Sequence, residues 1–417
     1  MINKKNKNFE TIFFKFFIIF LLILSLLFFL GSFYFNENFF LKYSVDKQLN
    51  KETIGKIAQI QRFFMLCSIF VLILFLLSLA FRTKLTRFIE KDKSLIQKIL
   101  LLIASILLFL FIGEIIARIF LSGMTTNAGA GPAFIDFYKN YVHLNSDKLR
   151  DREYPIEKGN NTIRIAGLGD SSTFGFGVKN ISDTYLELIE SRLNKEKPAN
   201  KVYELINFAK PGYDTEDELN VLKEKALKYS PDIIILAYNL NDLKIIDSET
   251  TKNLRPWIEV PYIGLILRNT FYLYYYLEIK INKIASNSGL VTTYEILILK
   301  SFNSSINREY NFKYFQELSN ISRQENIPVI IIVIPVLYHL DNYPFYSANE
   351  YIENISRKYG FYYINPLEVY QKYGESQLMV TKYDAHPNEL GHRLIADYVY
   401  ESLVKSLSTN FSKNPVI

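Results

Sequence analysis

Three apolar runs in the first 121 residues, at about 11–35, 63–81 and 99–121, limit what this chain can become. Each is long enough to cross a hydrocarbon core of about 30 Å as a single helix, and none has the polar face that a soluble domain would need. The first run carries Lys15 near one end, where its long side chain can reach the interface. That run is too long for a cleaved leader and shows no small-residue cleavage site, so it reads as an anchor. The third stays uncharged through Gly113 and then carries Glu114 and Arg118, four apart and able to pair on one face. An intramembrane ion pair can be functional. Its place at the helix end makes an interfacial anchor the expected role.

Basic residues set the orientation. Lys4, Lys5 and Lys7 precede the first run, and Arg82, Lys84, Arg87, Lys91, Lys93 and Lys98 crowd the segment between the second and third. Both places are expected to be cytoplasmic, although the loop 36–61 also holds four lysines. Three crossings from a cytoplasmic start leave everything after Leu121 outside.

The net charge of +6 comes from scattered Lys and Arg with no basic face, so nucleic acid is not an expected partner. Cys67, the sole cysteine, lies inside an apolar run, which excludes disulfides and cysteine-held metals. After a small-residue linker, set at 122–140, strand-like runs at 163–169, 203–208, 232–238, 329–335 and 361–365 alternate with helical patterns. The clearest helix opens on a capping box, Thr215 to Glu218, with Leu219, Leu222, Ala226 and Leu227 on its apolar face. Such alternation predicts an α/β fold: a mostly parallel sheet covered on both faces in a domain over about 141–410. The stretch 243–308 breaks the rhythm. It is aromatic (Tyr272, Tyr274, Tyr275, Tyr276) and is expected to be extra packed helices, a cap over a site, or a surface against the bilayer.

The first strand runs straight into Gly169-Asp170-Ser171, then a loop punctuated by Gly175 and Gly177. A hydroxyl just past the carboxyl end of a buried strand sits where open α/β sheets bind ligands. A dinucleotide fingerprint would need glycine at Ser172, and a Walker loop needs a lysine that is absent. The α/β-hydrolase elbow would need glycine at Thr173. A plain polar turn remains open at this stage. Three further stretches bear on it: Asn207 to Gly212 after the second strand, Asn239-Leu240-Asn241-Asp242 after the third, and Asp384-Ala385-His386-Pro387-Asn388 near the C-terminus. Pro387 suits the first turn of a final helix, with His386 at its lip. His392 falls on that helix and reads as a capping or surface residue. His386, His392 and Asp397 lack a standard metal-ligand spacing, so no metal is expected.

Together these blocks resemble the SGNH/GDSL hydrolase family over about 141–407. Gly169-Asp170-Ser171 with Thr173 to Val178 is similar to its first block, Asn207 and Gly212 to Thr215 to the second, Asn241-Asp242 to the third, and Asp384 to Asn388 to the last. The segment 143–154 resembles the lead-in of membrane-anchored members. The resemblance implies a three-layer α/β/α sandwich and a serine ester hydrolase without a cofactor. In it Ser171 would be the nucleophile, His386 the base and then acid, and Asp384 the residue that holds the imidazole. The backbone N–H groups of Ser171 and Gly212 and the Asn241 amide would form the oxyanion hole. Two departures stand out. Only Ala385 separates aspartate from histidine where the family has two residues, and Asn239 replaces a glycine. For Asp384 to reach the imidazole, the expectation is a tight turn across Ala385, with His386 extended ahead of Pro387. The implied activity is cleavage of an O-acyl ester, above all O-acetyl on a cell-envelope glycan. An O-acyltransferase with the same triad and a non-catalytic glycan-binding module are the alternatives.

Overall fold

The computed structural model describes residues 2–41, 51–84, 93–121, 131–197, 200–251 and 264–409. Arg87, Lys91, most of the expected linker, part of the loop 36–61 and part of the stretch 243–308 lie outside them. The chain forms two compact units, one of Met1–Ser122 with Glu259–Glu278 and one of Gly123–Ile258 with Ile279–Ile417.

In the first unit, the helices Ile2–Tyr34, Lys51–Ala80 and Lys93–Leu121 contain stretches Ile12–Tyr34, Ile57–Ala80 and Gln97–Leu121 long and apolar enough to cross a membrane. The second helix begins well before 63, because Ile57 and Ile60 join the apolar face and a single Arg62 does not interrupt it. The first two helices pack on each other. Ser25 and Ser68 each donate a hydroxyl to the other's carbonyl at 3.0 Å, and the ring of Phe64 fills the space that a side chain at Gly31 would need.

In the second unit, five strands pair in parallel in the order β2-β1-β3-β4-β5: β1 Thr162–Gly169, β2 Val202–Asn207, β3 Ile233–Tyr238, β4 Val329–Val333 and β5 Tyr362–Ile364. All five expected strands form, and their apolar side chains, the exposed Val202 apart, belong to one core. β1 steps to one side to reach β2, whereas every later connection steps the other way. With right-handed crossovers, that reversal sends the helix Tyr185–Glu196 to one face and Thr215–Glu224, Ser305–Glu325 and Tyr346–Lys358 to the other. The final helix, Glu389–Thr409, packs beside Tyr185–Glu196. The result is a three-layer α/β/α sandwich. The strand order reverses between β1 and β3, so the crevice at their carboxyl ends is where such sheets bind ligands. A separate antiparallel pair, β6 Met379–Thr381 with β7 Asp384–Pro387, carries the C-terminal block.

Two local expectations shift. The helix at 215 is capped one residue earlier, by Asp214, whose carboxylate accepts the N–H groups of Glu216 (3.0 Å) and Asp217 (3.1 Å). Thr215 is then free to donate its hydroxyl to the carbonyl of Asp242 at 3.0 Å, and Glu218 turns into the interior. The last helix starts at Glu389, capped by Asn388 Oδ1 through the N–H groups of Leu390 and Gly391, so Pro387 ends β7 and does not open the helix.

Candidate active site

Ser171 opens a single helical turn, Ser171–Phe174, directly after β1. The turn is tight because Gly169 has no side chain. A Cβ there would come within 2.3 Å of Thr173 Oγ1 and 3.2 Å of the Ala237 carbonyl. Asp170 caps the turn by accepting Ser172 N–H at 2.9 Å. Beyond it, the loop 174–178 is tied down by the buried Arg150, which donates to the carbonyls of Phe174 (3.1 Å), Gly175 (2.6 Å) and Val178 (2.6 Å). Burial pulls this guanidinium down to about 10, which still leaves it charged at neutral pH.

His386 brings Nε2 to 2.8 Å from Ser171 Oγ, and its Nδ1 is hydrogen-bonded to Asp384. A carboxylate can only accept, so Nδ1 carries the proton and Nε2 presents a lone pair to the serine hydroxyl. Asp384 also accepts the backbone N–H of His386 at 3.2 Å. The expected tight turn across Ala385 is not what achieves this. Residues 384–387 are a strand, and in a strand alternate side chains share a face. One intervening residue is therefore the right number for extended backbone. Burial pushes the His386 imidazole down, but the adjoining Asp384, helped by Asp170, holds it above its ordinary range. The Phe176 ring packs beside it at 4.8 Å between centroids.

Asp170 links this group to the end of β3. Its Oδ1 accepts from Asn239 Nδ2, and its Oδ2 lies 3.3 Å from Asn241 Nδ2 and 3.2 Å from Ser171 Oγ. The asparagine that replaces glycine at 239 is thus buried and holds Asp170. Because Asp170 only accepts, the amide of Asn241 must face it, which leaves its Oδ1 to accept the hydroxyl of Tyr294 at 2.9 Å. Asn241 Nδ2 has a second N–H to give at an exposed position. Below, Asp242 closes the turn by accepting Asn239 N–H at 2.6 Å, and it shares the interior with Glu218. Burial first raises both acids well above the carboxylate range, reinforced at Glu218 by the charges of Asp170, Asp214 and Asp217 and at Asp242 by those of Glu218 and Asp170.

After β2, Asn207 donates Nδ2 to the Thr173 carbonyl at 2.9 Å, and its own N–H goes to Asp151 at 2.8 Å. Gly212 has φ +83, a conformation that strains any residue with a Cβ, and open space surrounds the place where a Cβ would stand. Among the described residues, neither the Ser171 nor the Gly212 backbone N–H has an acceptor. His392 is not at the surface. It is fully buried, its Nδ1 accepts Tyr185 N–H at 3.1 Å, and it stacks on the Tyr185 ring.

Sequence reasoning missed Arg150, Asp170, Asn239 and Tyr294. The first three lie in or beside matched blocks, but as potential hydrogen-bonding groups with no partner written next to them. Tyr294 comes from the irregular stretch 243–308, where no pattern marks it.

A profile of the GDSL-like Lipase/Acylhydrolase family matches residues 168–394. No curated protein matches the chain. Similar solved structures include the acetyl xylan esterase AlAXEase, at 16% identity over 58% of this chain and 100% of that one, with a TM-score of 0.36. The lipase/acylhydrolase from Enterococcus faecalis is similar at 14% identity over 58% and 96%, with a TM-score of 0.36. A catalytic mutant of Axe2, an acetylxylan esterase from Geobacillus stearothermophilus, is similar at 11% identity over 58% and 94%, with a TM-score of 0.37.

Proposed function

The chain belongs to the GDSL-like lipase/acylhydrolase family and is a hydrolase, and from that premise we propose a membrane-anchored, extracytoplasmic serine esterase that removes O-acyl groups, chiefly O-acetyl, from a cell-envelope glycan. The observation that carries this reading is the continuous hydrogen-bonded chain from Asp384 through His386 to Ser171, with Nε2 at 2.8 Å from Oγ. In the first half-reaction Ser171 Oγ bonds to the acyl carbon and its proton passes to His386 Nε2. Asp384 fixes the tautomer and stabilises the imidazolium. The proton then goes to the leaving alcohol as the ester C–O bond breaks. Water repeats the sequence on the acyl-serine, releasing the acid and restoring the hydroxyl. The Ser171 and Gly212 N–H groups and the Asn241 amide are the donors assigned to the oxyanion. Neutral donors suit that place, because a carboxylate would repel the developing charge.

Location and rim support the choice of substrate. Three helices able to span, together with the basic residues at 4–7 and 82–98, favour an outward-facing domain over about 141–410. The rim is open. Asn241 is exposed and Tyr294 is 42% exposed, which fits a short acyl group presented by a bulky polymer. Mass spectrometry of envelope glycans tests the proposal. Cells with the intact protein should carry fewer O-acetyl groups than cells with Ser171→Ala, and the purified protein should release acetate from the extracted glycan. More O-acetyl with the intact protein would make it a transferase. A reporter fused after Ile417 should be active only outside the cytoplasm, and one near Lys91 only inside; activity on the same side would sink the topology.

A further inference from the structure

Glu114 and Arg118 do more than pair with each other at 2.8 Å. Glu114 accepts the backbone N–H groups of Tyr272 (3.2 Å) and Leu273 (2.9 Å), and Arg118 donates to the carbonyl of Thr270 at 3.0 Å. Those are the groups left open where the helix Gly264–Thr270 ends and the helix Tyr272–Asn287 begins. The arginine covers a carbonyl at the C-terminus of one helix, and the glutamate covers N–H groups at the N-terminus of the next, each with the sign that the helix dipole favours. The approach is close. A Cβ at Gly113 would lie 3.0 Å from Leu273 Cδ2, and the Arg118 guanidinium stands 5.5 Å from the centre of the Tyr272 ring.

The depth of this clasp sets its surroundings. Glu114 is seven residues before the end of the stretch Gln97–Leu121, roughly 10 Å along the axis. With a core of about 30 Å centred on that stretch, Glu114 lies several ångströms inside the hydrocarbon edge. Backbone polar groups at such a depth must find partners within the protein, and the ion pair supplies them. Beside the clasp, Phe271 is 41% exposed and Leu277 46% exposed, and the partly exposed Tyr274 and Tyr276 between them suit the headgroup boundary.

We infer that Gly264–Glu278 is a fourth membrane-seated element, lying in the outer interface of the bilayer and clasped to the third span by Glu114 and Arg118. The inference rests on the reading that the third helix spans, and it is independent of the esterase chemistry. The occupant around the exposed Phe271 and Leu277 is lipid acyl chain, because Glu114 holds the backbone of Tyr272 and Leu273 at its own level on the span, where Ile115, Ile116 and Ile119 are exposed as well.

The test uses the full chain with Cys67→Ala, reconstituted in phosphatidylcholine/phosphatidylglycerol vesicles. Single cysteines replace Phe271, Leu277, mid-span Phe109 or the exposed Val202, each labelled with a small fluorophore. Nitroxide lipids spin-labelled near the ester end of the acyl chain should quench the probes at 271 and 277, those labelled near the methyl end should quench 109 most, and 202 should respond only to a water-soluble quencher. Adding Glu114→Leu with Arg118→Leu should remove the lipid quenching at 271 and leave it intact at 109. Quenching at 109 without any at 271 and 277 overturns the inference and leaves the span standing. No lipid quenching at 109 overturns both. Probes at 271 and 277 shielded from lipid and water alike would mean that a protein partner covers the face, which also overturns it.

Discussion

His386 and His392 stand six residues apart in the same domain, the first largely and the second fully buried, and their imidazoles are driven in opposite directions. The nitrogen of His386 that faces away from the serine meets the carboxylate of Asp384, so burial is outweighed and the protonated form is favoured. His392 instead accepts a backbone N–H, its Nε2 is buried without a partner among the described residues, and charged Arg150 lies nearby. Burial, then Arg150 and His386, push it down to about 3. One ring is built to take a proton, the other to stay neutral. Burial alone does not tell them apart; what separates them is whether the second nitrogen faces an acceptor or a donor.

Removing the base should give the largest effect. His386→Ala and Ser171→Ala should each lower kcat on an activated acetyl ester by roughly 10⁴–10⁶-fold, and the double variant should lose little more, since members of one catalytic unit are not additive. Asp384→Asn should cost about 10⁴-fold by favouring the wrong tautomer. It should also move the pH profile. Turnover needs neutral imidazole, so a raised His386 value puts the acid limb of the intact enzyme above the ordinary imidazole range, with activity lost as pH falls through it. Without the Asp384 charge, burial is opposed by Asp170 without its larger partner, and the residual activity of the variant should persist to lower pH. A near wild-type rate for Asp384→Asn beside a dead His386→Ala would falsify the triad and leave a Ser–His dyad.

The same two histidines mark how far the sequence could be read. His386 was legible because Asp384, Pro387 and Asn388 flank it, and the five strands of the main sheet were legible because short, mainly apolar runs alternate with helical patterns. The shape of the block was not. The residue count suggested a turn across Ala385, whereas pairing with β6 keeps the backbone extended there, and strand pairing is a non-local fact. His392 failed for a similar reason. Its burial comes from the helix Tyr185–Glu196, some two hundred positions away, laid against the last helix by the fold. Local signals fix a residue's neighbours in the chain, and pKa depends on neighbours in space.

Asn241 and Tyr294 extend the contrast from proton transfer to charge stabilisation, with smaller effects. Asn241→Ala should cost on the order of 10²–10³-fold in kcat, as for one oxyanion donor. Tyr294→Phe removes one neutral hydrogen bond, at 2.9 Å, whose usual worth of about 1 kcal/mol corresponds to roughly fivefold. If the tyrosine acts by orienting the amide, kcat falls while KM holds, and Tyr294→Phe has no further effect in the Asn241→Ala background. Equal losses in both backgrounds would make Tyr294 a substrate contact.

His392→Asn should leave turnover at neutral pH nearly unchanged, because Asn Oδ1 can still accept the Tyr185 N–H. Its effect belongs to stability in acid. The unfolded chain binds a proton at His392 near the ordinary imidazole value of 6.5, whereas the folded chain resists until about 3. Between those values the unfolded state holds more protons, so stability is full above the upper value and is lost as pH falls through the window. At about pH 4.5 this amounts to roughly 2–3 kcal/mol for the native histidine and nothing for asparagine. Melting of the full chain in detergent should therefore show the variant modestly less stable at neutral pH, from imperfect filling of the site, and the gap should close or reverse on acidification. His386→Asn should not close such a gap, since the folded state there favours the proton. Parallel melting curves for native and His392→Asn proteins from neutral to acid would mean that His392 takes up its proton in the folded state, and the distinction between the two rings would collapse.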